Sequence, residues 1–406
     1  MIDAPIPPRL ARLVLVTPDG EVIGALPPFG VASPWWQDAE PVVNAARERH
    51  GIDVTVLRLL DTELPIPHGG TVTYLAEVAH PVSAEAWDGT LDDQPLRMAW
   101  ARPGGPAADL AWAESRLAER GLRRIGPAQQ VRSWNLSSLW RLPVEGQTLW
   151  LKVVPPFFVH EGRILERLQG ERVPTLIARD GPRLLLAEIP GEDLYRASPS
   201  QLLEMVSLLV ALQREWMEGI DALLAIGLAD WRAPALISAI GRLIERIGPD
   251  LTPDDRATLD GFVTGLADRF ARVAACGLPD TLVHGDFHPG NLRGNEGSLV
   301  LLDWGDCGVG HPLLDEPAFL ERVPSDAVDT VRTHWHAAWS RALPGSDPDQ
   351  ASRLLRPVAA ARQALIYQGF LDGIEPSERP YHAADPGAWL RRTAELVRGG
   401  ELAIGR

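Results

Sequence analysis

The run His284-Gly285-Asp286-Phe287-His288-Pro289-Gly290-Asn291, followed by Leu301-Leu302-Asp303-Trp304-Gly305, gathers the residue types that phosphoryl transfer requires. That chemistry needs a carboxylate to orient and deprotonate an acceptor hydroxyl. It also needs oxygen ligands for Mg²⁺, which bridges the phosphates and offsets developing charge. Asp286 is placed to be the base, while the Asn291 amide oxygen and the Asp303 carboxylate are candidate metal ligands. Taken singly, each has an ordinary explanation: loop Asp and Asn residues usually cap turns, and an isolated His is commonly a satisfied structural residue. Their joint order and spacing point instead to one site. His284 is expected to brace the loop rather than react.

The elements that must carry these residues can be read from the flanking sequence. Asn291 leads into a hairpin turning at Gly294 to Gly297, and the return strand Leu299 to Leu302 delivers Asp303. Gly305 lets the chain leave sharply. Upstream, Trp150-Leu151-Lys152-Val153-Val154 sets a lysine in an apolar strand, where a charge asks for a partner. The predicted helix Phe157 to Leu168 offers Glu161 and Glu166. Glu161 shares the core-facing side with Leu165 and Leu168, whereas Glu166 lies with Arg163 and Arg167 on the wet side. Glu161 is therefore the expected partner of Lys152.

The rest of the chain reads as a small α/β unit, a strand-rich segment and a helical segment. Strands are expected at Leu13 to Val16, Val22 to Leu26, Val54 to Leu60 and Thr71 to Val78, with a helix at Glu40 to His50. Arg102-Pro103-Gly104-Gly105-Pro106 is the strongest linker signal. After it come a helix over Ala108 to Arg120 and strands over Gln130 to Leu142, Thr148 to Val154 and Arg183 to Ile189. Helical periodicity then dominates, at about 198–217, 233–247, 253–275, 326–342, 350–372 and 387–399. The fold class is α+β. The expected domains are 1–105, 106–190 and 191–406.

At 406 residues with 45% hydrophobic and 23% charged residues, the composition is that of a soluble globular protein. A net charge of -15 argues against nucleic acid or an anionic membrane as general partners. Two cysteines, Cys276 and Cys307, exclude a disulfide framework. The stretch Met1 to Leu10 is no signal peptide, and no apolar run is long enough to span a bilayer, so a cytoplasmic location is expected.

The His-Gly-Asp-Phe-His-Pro-Gly-Asn and Leu-Leu-Asp-Trp-Gly segments share the spacing of protein-kinase catalytic loops. They resemble the aminoglycoside phosphotransferase family, which includes choline-kinase-like enzymes. The resemblance implies a two-lobed protein-kinase-like fold over roughly 108–330, ATP and Mg²⁺, Asp286 as base, and Asn291 and Asp303 as metal ligands. It implies that Lys152 holds the α- and β-phosphates and that Glu161 holds Lys152. Ser137 and Ser138, where kinases have a glycine-rich loop, would contact phosphate by hydroxyl and backbone N–H. The strand ending at Glu188 and Ile189 would lead to a hinge whose backbone reads adenine. Gly310-His311-Pro312-Leu313-Leu314-Asp315 looks like a further family segment in which Asp315 is structural.

The amino-terminal unit weakly resembles a Nudix domain, through its hairpin and the helix Ala45 to Gly51. The metal-binding glutamate pair of that family is missing after Glu48, which implies a structural, capping or dimerising role. The expected acceptor is a hydroxyl-bearing small molecule, of aminoglycoside, amino sugar or amino alcohol type if carboxylates such as Asp306, Glu316, Asp372 or Glu375 line its pocket. Two alternatives are a nucleotide-binding module without turnover and a pyrophosphohydrolase using the first 100 or so residues.

Overall fold

The computed structural model describes residues 6–404 apart from 81, 171 and 296, with the side chains of 401–404 also outside the description. The expected Gly294–Gly297 turn thus includes one residue, Glu296, outside the described residues, as does the start of the Met1 to Leu10 stretch. The architecture is mixed α+β, and the chain divides into two compact units. The first comprises residues 1–162, 176–188 and 370–383; the second comprises 163–175, 189–369 and 384–406.

The first unit contains two sheets. Strands β1 (Arg9–Val16), β2 (Val22–Val31), β3 (Thr55–Thr62) and β4 (Gly70–Glu77) form a mixed sheet in the order β2-β1-β4-β3. The central pair β1 and β4 is parallel and both flanking pairs are antiparallel. Helix α1 (Glu40–His50) follows the sequence closely because its ends are chemically marked. Pro41 occupies its first turn, and Gly51 closes it at φ 68° with its N–H on the Arg47 carbonyl. Strand β1 is buried on both faces, with Ala11, Leu13 and Leu15 in one apolar cluster and Val14 and Val16 in another.

Residues 102–106 join a short helical turn, Ala99–Ala101, to helix α2 (Gly105–Ala118), so the helix begins within the glycine-proline run. The second sheet is wholly antiparallel, in the order β5-β6-β7-β9-β8. Its strands are β5 (Gln129–Trp134), β6 (Ser137–Val144), β7 (Gln147–Val153), β8 (Leu176–Asp180) and β9 (Arg183–Ala187). The strand-rich stretch Gln130 to Leu142 is two strands, reversed by Asn135-Leu136 without a glycine. The two sheets are stitched by Gln130, whose side chain accepts from Val56 N–H (2.8 Å) and donates to Val56 C=O (2.7 Å).

Residues 370–383 complete this unit. Tyr381 packs edge-on to Trp36 and Trp134, and Glu378 accepts from the Leu59 N–H at 2.7 Å. Glu375 accepts from Arg97 Nε and Nη2 at 3.0 and 2.8 Å.

The second unit is mostly helical, built on Pro199–Glu215, Ala233–Ile247, Pro253–Thr264, Leu266–Ala274, Val328–Ala342, the helix Pro348–Gly373 up to residue 369, and Asp385–Ile404. The one helix expected over 253–275 is broken at Gly265. Two small sheets position the chemistry: β10 (Glu192–Asp193), β13 (Leu292–Gly294) and β14 (Val300–Leu301), and separately β11 (Ala229–Trp231), β15 (Gly308–Gly310) and β12 (Thr281–Val283). Among the described residues no helix is long and apolar enough to cross a membrane.

Candidate active site

Strand β12 runs directly into His284, and the loop that follows is fixed from inside the unit. Phe287 is fully buried, stacks on Phe319 at 4.7 Å between ring centroids and meets Trp335 edge-on at 5.7 Å. Trp304 is fully buried too, packs edge-on to His284 at 4.7 Å and donates its indole N–H to Leu301 C=O. The two apolar members of the motif are thus anchors, and the polar residues between them are held by their neighbours' burial.

Hydrogen bonds join the loop to the strand that delivers Asp303. The Leu302 N–H donates to Asn291 C=O at 2.7 Å. The Leu302 C=O accepts from His284 Nε2 at 2.8 Å. A carbonyl can only accept, so Nε2 carries the ring proton. Burial pushes the His284 pKa down, which keeps the ring neutral in this bracing role. Both main-chain groups of the residue before Asp303 are therefore gripped by the loop that bears Asp286 and Asn291.

Asp303 itself makes the sharp exit. It sits at φ 59°, the one non-glycine with positive φ among the described residues. The left-handed turn expected at Gly305 is thus made two residues earlier. Such a conformation costs an L residue about 1 kcal/mol or more, and it persists only where the surroundings over-determine it. Gly285 also lies in the left-handed region, at φ 93°, and a Cβ there would overlap the Asp306 main-chain oxygen. Only glycine lets these two segments lie together.

Asn291 turns its amide nitrogen to Asp286, with Nδ2 at 2.9 Å from both the main-chain oxygen and Oδ2. Two acceptors facing one end of the amide fix that end as NH₂, so Oδ1 points the other way. His288 flanks Asp286 as well. Its Nδ1 accepts from Gly290 N–H at 3.0 Å, so the proton of the neutral ring is on Nε2, which stands 3.5 Å from Asp286 Oδ2. The Asp286 side chain is 34% exposed, which leaves it open to a ligand.

Asp315 lies beneath the loop and is fully buried. It accepts from the His284 and Gly285 N–H groups at 2.9 and 2.8 Å and from Gln213 Nε2 at 3.1 Å. Burial pushes its pKa up, against the opposing pull of Arg362 and His284. Arg362, 1% exposed, donates to Gly285 C=O at 2.9 Å. Neither Gln213 nor Arg362 carries a motif signal: each reaches the loop from a helix distant in sequence.

In the first unit, Lys152 Nζ meets Glu161 Oε1 at 2.7 Å, with Glu161 only 2% exposed. The face argument that chose Glu161 over Glu166 agrees with this geometry. Ser137 and Ser138 belong to the hairpin of β5 and β6. Both are buried at the start of β6, where their hydroxyls accept from the Trp134 and Trp140 indole N–H groups at 3.1 and 2.9 Å. Glu188 ends a segment of the first unit and accepts from Trp150 Nε1, while the Ile189 carbonyl, in the second unit, accepts from Arg293 Nε at 2.9 Å.

Among the acidic candidates for an acceptor pocket, Glu375 is engaged by Arg97 in the first unit. Glu316, 1% exposed, accepts from His336 Nε2 at 2.8 Å in the second. Among the described residues no group of three or more His, Cys, Asp and Glu side chains gathers as a metal site. An asparagine–aspartate pair is outside that pattern. The Asn291 amide oxygen and the Asp303 carboxylate are hard oxygen donors of the kind Mg²⁺ takes beside phosphate oxygens.

Comparison with known proteins places this arrangement. The profile of the phosphotransferase enzyme family matches residues 130–354, more than half of the chain. No curated protein sequence matches. Solved structures similar to this chain include a macrolide 2'-phosphotransferase from Brachybacterium faecium, at 17% identity and TM-score 0.47, covering 67% of this chain and 97% of that one. Plasmodium vivax ethanolamine kinase gives 11% identity and TM-score 0.48 over 70% of this chain and 89% of that one. A choline kinase from Streptococcus pneumoniae gives 12% and 0.48 over 71% and 99%. With the profile spanning both the Lys152–Glu161 pair and the Asp286–Asp303 segment, the chain belongs to the phosphotransferase enzyme family.

Proposed function

We propose that this chain transfers the γ-phosphate of ATP to a hydroxyl of a small molecule, with Asp286 as the base. The observation that carries the reading is the Asn291 amide clasping Asp286 at 2.9 Å, which orients a carboxylate toward an acceptor and an amide oxygen away from it.

In this reading the Asp286 carboxylate accepts the hydroxyl proton as the acceptor oxygen bonds to the γ-phosphorus and the bond to the β,γ-bridging oxygen breaks, releasing ADP. His288 Nε2–H, 3.5 Å from Oδ2, keeps the carboxylate turned and limits its side-to-side freedom. A positioned base of this kind contributes roughly 10²–10⁴-fold. Asn291 Oδ1 and Asp303 would hold Mg²⁺, which when bound supplies charge neutralisation at the phosphates. Lys152, held by Glu161, is assigned to the α- and β-phosphates. Main-chain groups at Glu188 and Ile189 are assigned to adenine. Ser137 and Ser138 contribute to the sheet and are given no role through their hydroxyls.

The test is acceptor-dependent ADP release with ATP and Mg²⁺ across a panel of hydroxyl compounds, run beside Asp286→Ala. Release that needs both an acceptor and Asp286 supports the reading. Turnover by the variant at the wild-type rate defeats it.

A further inference from the structure

Asp286 and His288 open onto a cavity of about 210 Å³ in the second unit. Its lining carries five arginines, Arg322, Arg332, Arg356, Arg362 and Arg392, against three carboxylates, Asp286, Glu316 and Glu321. That excess runs opposite to the net charge of -15 of the whole chain. Setting aside the groups that already have partners leaves Arg322, Arg356 and Arg362 against Asp286, the same excess of two. Glu316 is taken by His336, and Glu321 lies 3.7 Å from Arg392. Arg332 is held by Asp329 at 2.9 Å. Among the described residues Arg322 and Arg356 have no carboxylate at ion-pair distance.

A second observation concerns the buried wall. Arg362 is 1% exposed and spends one N–H on the Gly285 carbonyl. Its Nε and Nη1 are buried without a hydrogen-bond partner, and its guanidinium lies 6.0 Å from the Trp231 ring centroid. Buried guanidinium N–H groups left unsatisfied are costly and mark a place where an acceptor is wanted. Guanidinium groups recognise carboxylate and phosphate oxygens in particular, often two at a time.

We propose that the acceptor is an anionic hydroxyl compound, carrying a carboxylate or phosphate group that the Arg322, Arg356 and Arg362 guanidiniums bind while its hydroxyl faces Asp286. This rests on the phosphotransferase reading above for the word acceptor, and it replaces the expectation of an amino-bearing acceptor. Asp315, Asp306 and Asp286 offset part of the Arg362 charge, but Arg322 and Arg356 still leave the lining net positive, which favours an anion over an ammonium group.

Four three-carbon probes that differ in one group test it: glycerol 3-phosphate, glycerate, glycerol and 3-amino-1,2-propanediol. Each is titrated calorimetrically into the full chain and into the Arg322→Gln/Arg356→Gln double variant, whose changes are at exposed positions and whose fold is checked by circular dichroism. The anionic probes should bind the wild type about tenfold or more tighter than glycerol, and the double variant should lose most of that margin. The relative strength of glycerate and glycerol 3-phosphate identifies the anion. Equal or tighter binding of the amine, no measurable binding of either anion, or a margin untouched in the double variant overturns the proposal. Parallel titration with ATP and Mg²⁺ separates the two readings. Nucleotide binding without anion preference removes the acceptor assignment alone, and anion preference without nucleotide binding removes the transferase reading.

Discussion

Asn291 Nδ2 stands 2.9 Å from both the main-chain oxygen and the carboxylate of Asp286, so a single amide fixes the direction of the proposed base and of its own oxygen. Asp286→Ala is expected to lower acceptor-dependent turnover by about 10²–10⁴-fold. Because the base acts on the acceptor, ATP affinity measured by calorimetry should change little.

Gly285 offers a sharper geometric test. Its φ of 93° and the close approach of the Asp306 carbonyl leave no room for a methyl group. Gly285→Ala is expected to cost about 2 kcal/mol or more of stability and to lower turnover beyond that loss, since it displaces Asp286. Chemical denaturation and turnover on the same sample check both halves. Gly121→Ala, also at positive φ but with no atom within 4 Å of the added carbon, is the control for conformational strain alone.

The Lys152–Glu161 pair combines a stability effect with an activity effect. Lys152→Met leaves a 2% exposed carboxylate without its ammonium, a change worth roughly 3–5 kcal/mol of stability for a buried pair. Lys152→Met/Glu161→Leu should recover most of that stability, because apolar replacement of both members is tolerated. Activity should not recover in the double variant if Lys152 is needed at the phosphates.

The sequence shows the active segment and hides much of its support, for a physical reason. Asp286, Asn291 and Asp303 lie within one stretch whose turns and strands are local, and the choice of Glu161, nine residues after Lys152, follows from the helical face it shares with Leu165 and Leu168. Helix α1 is legible because Pro41 and Gly51 mark its ends. By contrast, Glu378 reaches Leu59 across 319 residues and Arg362 reaches Gly285 across 77, and neither has any local signature. The Asn135-Leu136 reversal lacks the glycine that commonly marks tight hairpins, so the sequence does not mark where the chain turns. The indole N–H bonds that Trp134 and Trp140 give to Ser137 and Ser138 likewise have no sequence signature.

Glu378 makes the stability of the first unit depend on pH. It is 4% exposed, and burial, partly opposed by the Leu59 N–H and by Arg58, pushes its pKa up to about 8. Glu375 adds to the upward shift. The folded chain therefore holds a proton that the unfolded chain releases near the ordinary glutamate value of ~4.3. Its contribution is whole below that value and is lost as pH rises toward 8, so unfolding free energy should fall by up to about 1.4 kcal/mol per pH unit over that window. Glu378→Gln, which keeps an acceptor for Leu59 N–H, should flatten this slope. Urea unfolding at pH 5, 6, 7 and 8 on both proteins, with no difference between the slopes, would contradict it.

The central claim is that Asn291 and Asp303 hold a metal–nucleotide complex over which Asp286 acts. Titration of ATP into the wild type, Asn291→Ala, Asp303→Ala and Asp286→Ala, with and without Mg²⁺, addresses it without knowledge of the acceptor. The account predicts Mg²⁺-dependent binding that is weakened at least about tenfold in Asp303→Ala and Asn291→Ala and kept in Asp286→Ala. A wild-type chain that fails to bind ATP, or a Mg²⁺ dependence that survives both metal-site changes, would contradict it.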